Sequence, residues 1–352
     1  MRIGRYLALE LAVLAVAVFA ASLGMGKFAS ALASRSTRQR SEPTAWLLPR
    51  QELDLRARPI AREAAGTFLG MSDELLLERI RKQPIVRIKV NRGGSSLSFR
   101  LDFADGTRAA FKPAQTNLQT IPRKEIAAYR LNRLLGLNAV PPSAPRSITR
   151  EEILSHLHPD SLVHVPRIVA ETIFAAAGTT QGAVSYWIPV IKDSQLDTTE
   201  AIGQTEQWLT VAEDLPRDKQ NLMSQVSDLI IFDFLTSNPD RYSGGNMQMS
   251  ADGEKLFYMD NTMGFFVNDE AREINRKALL RTQRFSRHLW NALPRLTEAN
   301  LRNAIGEEPG ISVSSVLTEA ELRAVVSRGR FARQYIRVLI EQFGEDQVLS
   351  FP

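Results

Sequence analysis

Hydrophobic positions along this chain recur at several different spacings, and each spacing predicts an element. Residues 7–25 are apolar or small apart from Glu10, Ser22 and Gly24, a run that suits a signal-peptide core or a membrane anchor. Residues 72–80 carry apolar positions at helical spacing behind Ser72 as N-cap, with acids in the first turn. Residues 86–90, 97–103 and 107–112 alternate with period two, and the Asn- and Gly-rich stretches between them are turns, which predicts three consecutive antiparallel strands. Residues 124–135 return to helical spacing through Ile126, Tyr129, Leu131, Leu134 and Leu135, with Gly136 as C-cap. Strands are expected over 163–173 and 182–190, and helices over 205–213 and 217–235. A hairpin follows, pairing 247–249 with 256–259 around an Ala251-Asp-Gly253 turn. The remainder reads as helical, with 297–305 and 318–343 amphipathic. Leu322, Val325, Val326, Tyr335, Val338, Leu339 and Phe343 are the core candidates there.

Composition sets bounds. At 24% charged and 44% hydrophobic the whole chain is ordinary for a soluble protein, and the roughly 300 residues beyond the N-terminal run allow a large core or two lobes sharing a cleft. Without cysteine there is neither a disulfide framework nor a thiolate metal site. His156 and His158 form an HxH pair, but with only His164 and His288 besides they read as scattered polar residues. The net charge is +5, with basic excess before residue 63 and over 272–287, which suits anionic lipid or nucleotide phosphate. No nucleic-acid-binding module is visible, so nucleic acid is not an expected partner. Basic residues flank the N-terminal apolar run on both sides: Arg2 and Arg5 before it, Lys27, Arg35, Arg38, Arg40 and Arg50 after it. If the run is retained, that balance leans toward a cytoplasmic body; cleavage after 31–33 would place the body outside.

The candidate chemistry lies in residues 227–266. A helix there ends in a Pro- and Gly-containing loop, Ser237-Asn-Pro-Asp-Arg-Tyr-Ser-Gly-Gly-Asn246, and the hairpin beyond it ends on Asp260. Phosphoryl transfer needs an acid on a loop to orient and deprotonate the attacking hydroxyl. It also needs an amide oxygen a few residues on, and a second acid, to hold divalent metal against the phosphates. Asp240, Asn246 and Asp260 occupy those places in that order. Each alone reads equally as a residue of an Asx-rich turn. Upstream, Lys112 ends the third strand and Glu125 opens the next helix, the arrangement by which a strand lysine is held on phosphates. Glu125 also suits a helix N-terminus in its own right. Gly93-Gly94 could cover phosphates with backbone amides, and residues 185–188, with Tyr186 and Trp187 among them, could line an adenine pocket.

Taken together, the 125–142 block (EIAAYRLNRLLGLNAVPP), the Phe-Leu-Thr-Ser-Asn-Pro-Asp240-Arg block and Met-Asp260-Asn resemble the atypical secretory-pathway kinases of the Four-jointed and Golgi casein kinase type. The resemblance covers roughly residues 85 to 290. It implies an α+β, bilobal protein-kinase-like fold with a β-rich small lobe and a mainly helical large lobe. It further implies ATP and Mg²⁺ or Mn²⁺ as cofactors, Asp240 as catalytic base, and Asn246 and Asp260 as metal ligands. Lys112 would hold the α- and β-phosphates, with Glu125 as its partner or a contributor near the metal. The chain departs from the pattern at three points. Asp240 and Asn246 are six residues apart instead of five, Tyr242 stands where histidine is common, and the glycine expected beside Asp260 is displaced to Gly264.

The expected organisation is a signal or anchor over 1–40, a linker and lead-in helix over 41–84, a small lobe over 85–185 and a large lobe over 186–352. The expected activity is transfer of the γ-phosphate of ATP to a hydroxyl, foremost of a protein serine or threonine. A glycan or lipid acceptor, a nucleotide-binding pseudokinase that activates a partner, and a carbohydrate-binding module are the alternatives. The basic 276–285 stretch is a candidate contact for the acceptor, and a solvated helix face is its plainer reading. The body is expected to be membrane-anchored or exported through its N-terminal segment.

Overall fold

A computed structural model describes residues 65–267, 271–306 and 316–352, all within one compact unit spanning 58–352. The apolar run of the first forty residues lies outside the described residues. Among the described residues no helix is long and apolar enough to cross a membrane.

A two-residue hairpin, Thr67–Phe68 (β1) and Met71–Ser72 (β2), leads into helix Asp73–Lys82 (α1). Ser72 takes the N-cap position but its side chain makes no capping bond. Asp73 instead turns inward and accepts a hydrogen bond from Tyr129 Oη at 3.0 Å. Ile85–Val90 (β3), Phe99–Phe103 (β4) and Arg108–Pro113 (β5) follow, and with Ser143–Thr149 (β6) and Thr179–Tyr186 (β7) they form one antiparallel sheet in the order β3-β4-β5-β7-β6. The strand periodicity is physical: Phe99, Leu101, Ala109 and Phe111 send their side chains into the core, and Phe99 and Phe111 stack across the β4–β5 pair.

Helix Arg123–Leu135 (α2) crosses the chain from β5 to β6 and ends at Gly136, whose φ of 68° is the left-handed cap that a glycine adopts without strain. The expected strand over 163–173 is a helix, Val165–Glu171 (α3). Pro166 sits in its first turn, where a missing N–H costs nothing, and of the β-branched run Ile168 and Thr172 are buried while Val163, Val169 and Ile173 are exposed. β-Branched composition without alternation of burial does not make a strand.

The second half is mostly helical. Ile191–Asp193 (β8) comes first, then Thr199–Trp208 (α4) and Gln220–Thr236 (α5), and β8 joins Met247–Ser250 (β9) and Leu256–Tyr258 (β10) in a small sheet of order β10-β9-β8. Glu273–Arg281 (α6), Glu298–Gly306 (α7) and Glu319–Phe343 (α8) complete it. Thr318 and Glu321 form a reciprocal capping box at the start of α8. Leu322, Val325, Val326 and Leu339 of α8 are buried as expected, whereas Val338 faces solvent. Arg123 of α2 reaches across to grip Glu321 through both guanidinium nitrogens, at 2.7 and 2.9 Å, and donates to Val316 O.

Candidate active site

Lys112 lies at the end of β5, where Gly182 of β7 faces it. A Cβ on Gly182 would stand 2.2 Å from the Lys112 carbonyl and 2.7 Å from the Phe111 ring, so only glycine lets β7 approach here. The Lys112 Nζ bridges two carboxylates, 2.9 Å from Glu125 Oε1 and 2.6 Å from Asp260 Oδ1. Burial alone would lower its pKa; Glu125 and Asp260 outweigh that and hold the ammonium well above the ordinary lysine value. For Asp260 burial works against ionisation, but the Lys112 charge and the Thr262 hydroxyl prevail and keep its carboxyl below the usual range. Asp260 itself has left-handed backbone (φ 47°), a conformation aspartate tolerates better than most residues.

The hairpin explains how residues distant in sequence meet. Met247 pairs with Tyr258, and the Met259 N–H donates to Asn246 O at 2.9 Å, so Asn246 sits across from the residue before Asp260. The extra residue between Asp240 and Asn246 is taken up by Gly244 and Gly245, both at positive φ (93° and 72°). The loop therefore folds back on itself. Asn246 Nδ2 donates to Asp240 O at 2.8 Å and to Asp240 Oδ2 at 3.3 Å. Buried Asn238 joins the two acidic positions: its Oδ1 accepts from the Asp240 N–H, and its Nδ2 donates to Asp260 O at 3.4 Å.

Two residues that sequence reasoning passed over, though both stood in the quoted motifs, organise this site. Arg241 is fully buried. It donates to both oxygens of Asp233 in α5, to Asn246 O at 2.9 Å, to Met259 O, and to Asn261 Oδ1 at 2.7 Å. Burial opposes its charge, and Asp233 more than restores it, raising its pKa. Asn261 passes the connection on, its N–H and Nδ2 donating to Glu125 Oε2 at 3.2 and 3.3 Å. An unbroken chain of polar contacts thus runs from α5 through the 237–246 loop and the hairpin end to α2 and Lys112. The signal for it was an arginine directly after Asp240, between an apolar helix that carries Asp233 and an apolar hairpin, where a buried guanidinium demands partners.

The glycine pair Gly93-Gly94 forms an exposed turn at φ 88° and 84° between β3 and β4. The register Phe99↔Phe111 and the bonds between Leu97 and Gln115 put that turn at the end of the sheet where Lys112 lies. Tyr186 pairs with Ala109, three positions back from the Lys112–Ala183 pair, so alternation sets its ring on the opposite face from Lys112. It packs edge-on against Phe68. Tyr186 and Trp187 line a separate surface cavity of about 280 Å³ with Arg79 and Arg108. The structure therefore brings Lys112, Glu125, Asp240, Asn246 and Asp260 into one connected site, with the glycine turn at the same sheet end, and sets the Tyr186 ring on the other face of the sheet.

Hard divalent cations take oxygen ligands, and the donor set here fits them. Asp260 Oδ1 takes Lys112 and Thr262, which leaves Oδ2 for a cation. Asn246 commits its amide nitrogen to Asp240 and Ser243, which leaves Oδ1.

A lysine on a small-lobe strand, held by a helix glutamate and facing an acid at a hairpin end, defines a kinase-like fold. The chain belongs to the Four-jointed family: the profile of the Four-jointed box protein middle domain matches residues 72–261. It is similar to the mouse (Mus musculus) pseudokinase FAM20A, at 26% identity over 74% of this chain and 57% of that protein. It is similar also to the human (Homo sapiens) extracellular serine/threonine protein kinase FAM20C, at 23% over 79% and 56%. Human glycosaminoglycan xylosylkinase is 22% identical over 78% of this chain and 76% of its own length. The chain spans little more than half the length of the two FAM20 relatives. Its fold matches the Golgi casein kinase crystallised with Mn and ADP, with a TM-score of 0.61 at 16% identity over 79% of this chain and 78% of that one. It equally matches hydra Fam20 with sugar, with a TM-score of 0.61 at 18% identity over 82% and 95%.

Proposed function

We propose that this protein is an ATP-dependent kinase that moves the γ-phosphate to a hydroxyl, with a protein serine or threonine as the preferred acceptor. The observation that carries the reading is the Lys112 ammonium bridging Glu125 and Asp260, with Asp240 and Asn246 wired to the same centre. Lys112 would neutralise the α- and β-phosphates, and Glu125 would fix its position. Asp260 Oδ2 and Asn246 Oδ1 would hold Mg²⁺ or Mn²⁺, whose charge supports the phosphates during transfer. Asp240 would orient the acceptor hydroxyl and take its proton; the Asn246 amide at its Oδ2 restrains the carboxylate for that task. The Gly93-Gly94 turn would close over the phosphates. Backbone of 185–188, at the end of β7, would meet the adenine, since the Tyr186 ring lies on the far face of the sheet. Residues 85–185 and 186–352 serve as the small and large lobes in this reading, and residues 1–40 anchor or export the body.

A glycan hydroxyl is the second acceptor class, favoured by the similarity to a glycosaminoglycan kinase across three quarters of that protein. Against a pseudokinase stands the retention of every charged group the chemistry uses: Lys112, Glu125, Asp240 and Asp260.

The deciding experiment pairs ATP turnover in Mg²⁺ or Mn²⁺ with nucleotide-induced thermal stabilisation, for the wild type, Asp240→Ala and Asp260→Ala. Turnover lost in both variants with binding kept in Asp240→Ala supports the kinase. Stabilisation of folded protein with no turnover on any protein or glycan acceptor turns the reading toward a pseudokinase. Protease accessibility of the body in intact spheroplasts tests its side of the membrane: digestion places the body outside, and protection until lysis places it in the cytoplasm.

A further inference from the structure

Lys124, the neighbour of Glu125 in the first turn of α2, is only 4% exposed. Its ammonium has no hydrogen bond or ion pair among the described residues; what it meets is the Phe266 ring, 5.0 Å from the centroid. The guanidinium of Arg272, also without a side-chain hydrogen bond or ion pair among the described residues, lies 3.9 Å from the centroid of the same ring. A third cation, Arg328, donates to the Phe266 carbonyl at 2.9 Å. The acid that acts on Lys124, Glu321, is already gripped by Arg123 and by the Thr318 N–H. Burial pushes the Lys124 ammonium below the ordinary lysine value; Glu321 opposes this weakly and Arg123 adds to it.

Positive charges converging on one aromatic ring repel one another, and a buried ammonium whose acid is already engaged by another cation is costly. A π face offsets part of that cost, and an anion offsets the rest. We infer that Lys124 and Arg272, placed about Phe266, form a binding site for a phosphate-type oxyanion, free or as a phosphomonoester. Guanidinium and ammonium groups together match the shape and charge of such a group. The site joins α2 to the segment just beyond Asp260, so an occupant would tie the helix that carries Glu125 to the hairpin end it serves. That consequence rests on the kinase reading; the binding itself does not.

The test uses the full chain. Inorganic phosphate is titrated at constant ionic strength against chloride, and thermal stabilisation is read for the wild type, Lys124→Met, Lys124→Arg, Arg272→Met and Lys112→Met. Lys124→Met keeps the stem on Phe266 and removes only the charge. The expected result is a saturable rise in Tm for the wild type, weakened about tenfold in Lys124→Met and in Arg272→Met, and kept in Lys124→Arg and Lys112→Met. Tighter binding of O-phosphoserine than of phosphate assigns the occupant to a phosphorylated side chain, and the reverse order assigns it to free phosphate. No saturable stabilisation, or one that Lys112→Met abolishes while both the Lys124→Met and Arg272→Met variants retain it, overturns the inference. Because no ATP turnover is read, an inactive protein leaves this outcome unaffected.

Discussion

Arg241 and Asp233 meet in complete burial, with Arg241 Nη2 2.9 Å from Asp233 Oδ1 and Nε 3.0 Å from Oδ2. The remaining guanidinium hydrogens are spent on Asn246, Met259 and Asn261. Removing one member leaves an uncompensated charge in the interior, so Arg241→Met and Asp233→Leu are each expected to cost about 3–5 kcal/mol. The double variant should cost clearly less than the sum. Urea unfolding of the three proteins checks this, and additive losses would mean the pair is not coupled. Arg241→Lys should not rescue, because one ammonium cannot reach four acceptors in a plane.

Gly182 sets how closely β7 approaches Lys112. Gly182→Ala is expected to destabilise the chain by roughly 1–3 kcal/mol through overpacking, and to lose nucleotide-induced stabilisation as well. A variant that binds nucleotide normally at wild-type stability would show that the sheet gives way without moving the lysine.

The acid limb of stability has a definite sign. Glu321 and Asp260 both have carboxyls held below their ordinary values, against burial, by Arg123 in the first case and Lys112 in the second. Such groups contribute stability above the unfolded carboxylate pKa and lose it as pH falls through the lower folded value. Unfolding free energy should therefore drop below about pH 4, and Glu321→Gln should flatten that slope. Lys112, raised, acts oppositely: its contribution is complete below the ordinary lysine pKa and fades as pH rises through the folded one. A slope unchanged in Glu321→Gln would place the acid sensitivity elsewhere.

Under the kinase reading, Asp240→Asn should lower turnover by about 10²–10⁴ with nucleotide affinity nearly intact, since it removes the base and leaves the phosphate contacts. Lys112→Met should weaken nucleotide binding as well. Chelation of divalent metal should abolish nucleotide-induced stabilisation in the wild type. Equal turnover in the wild type and Asp240→Asn would remove Asp240 from its role.

Local chemistry was legible in the chain, and long-range chemistry less so. Alternation located β3, β4 and β5, helical spacing and Gly136 bounded α2, and the Ala251-Asp-Gly253 turn fixed the β9–β10 hairpin within one residue at each strand end. Those elements carry Lys112, Glu125, Asn246 and Asp260, so their meeting could be anticipated from order alone. The roles of Arg241 and Asn261 could not, because their partners come from α5, the hairpin and α2 at once. The 163–173 stretch misled because its β-branched residues do not alternate in burial: Ile168 and Thr172 are buried, four positions apart, while Val163, Val169 and Ile173 face solvent; Val338 misled because a 25-residue helix exposes apolar positions on its outer face. Which face of the sheet takes the Tyr186 ring was not legible, because strand alternation relative to Lys112 depends on the β5–β7 register, which is a property of pairing.

The clasp between Arg123 and Glu321 has a bearing on control. In a hinged two-lobe enzyme, the simplest off state swings the glutamate-bearing helix away from the lysine. Here the first turn of α2 is bolted by a fork of two bonds, plus a third to Val316, onto the helix at the opposite end of the chain. Swinging out would strand both a guanidinium and a carboxylate that is itself the cap of α8. Under the kinase reading, a chain built this way keeps Glu125 engaged with Lys112 at rest, and a brake on turnover would act at the mouth of the cleft or on supply of the acceptor, not on the posture of that helix.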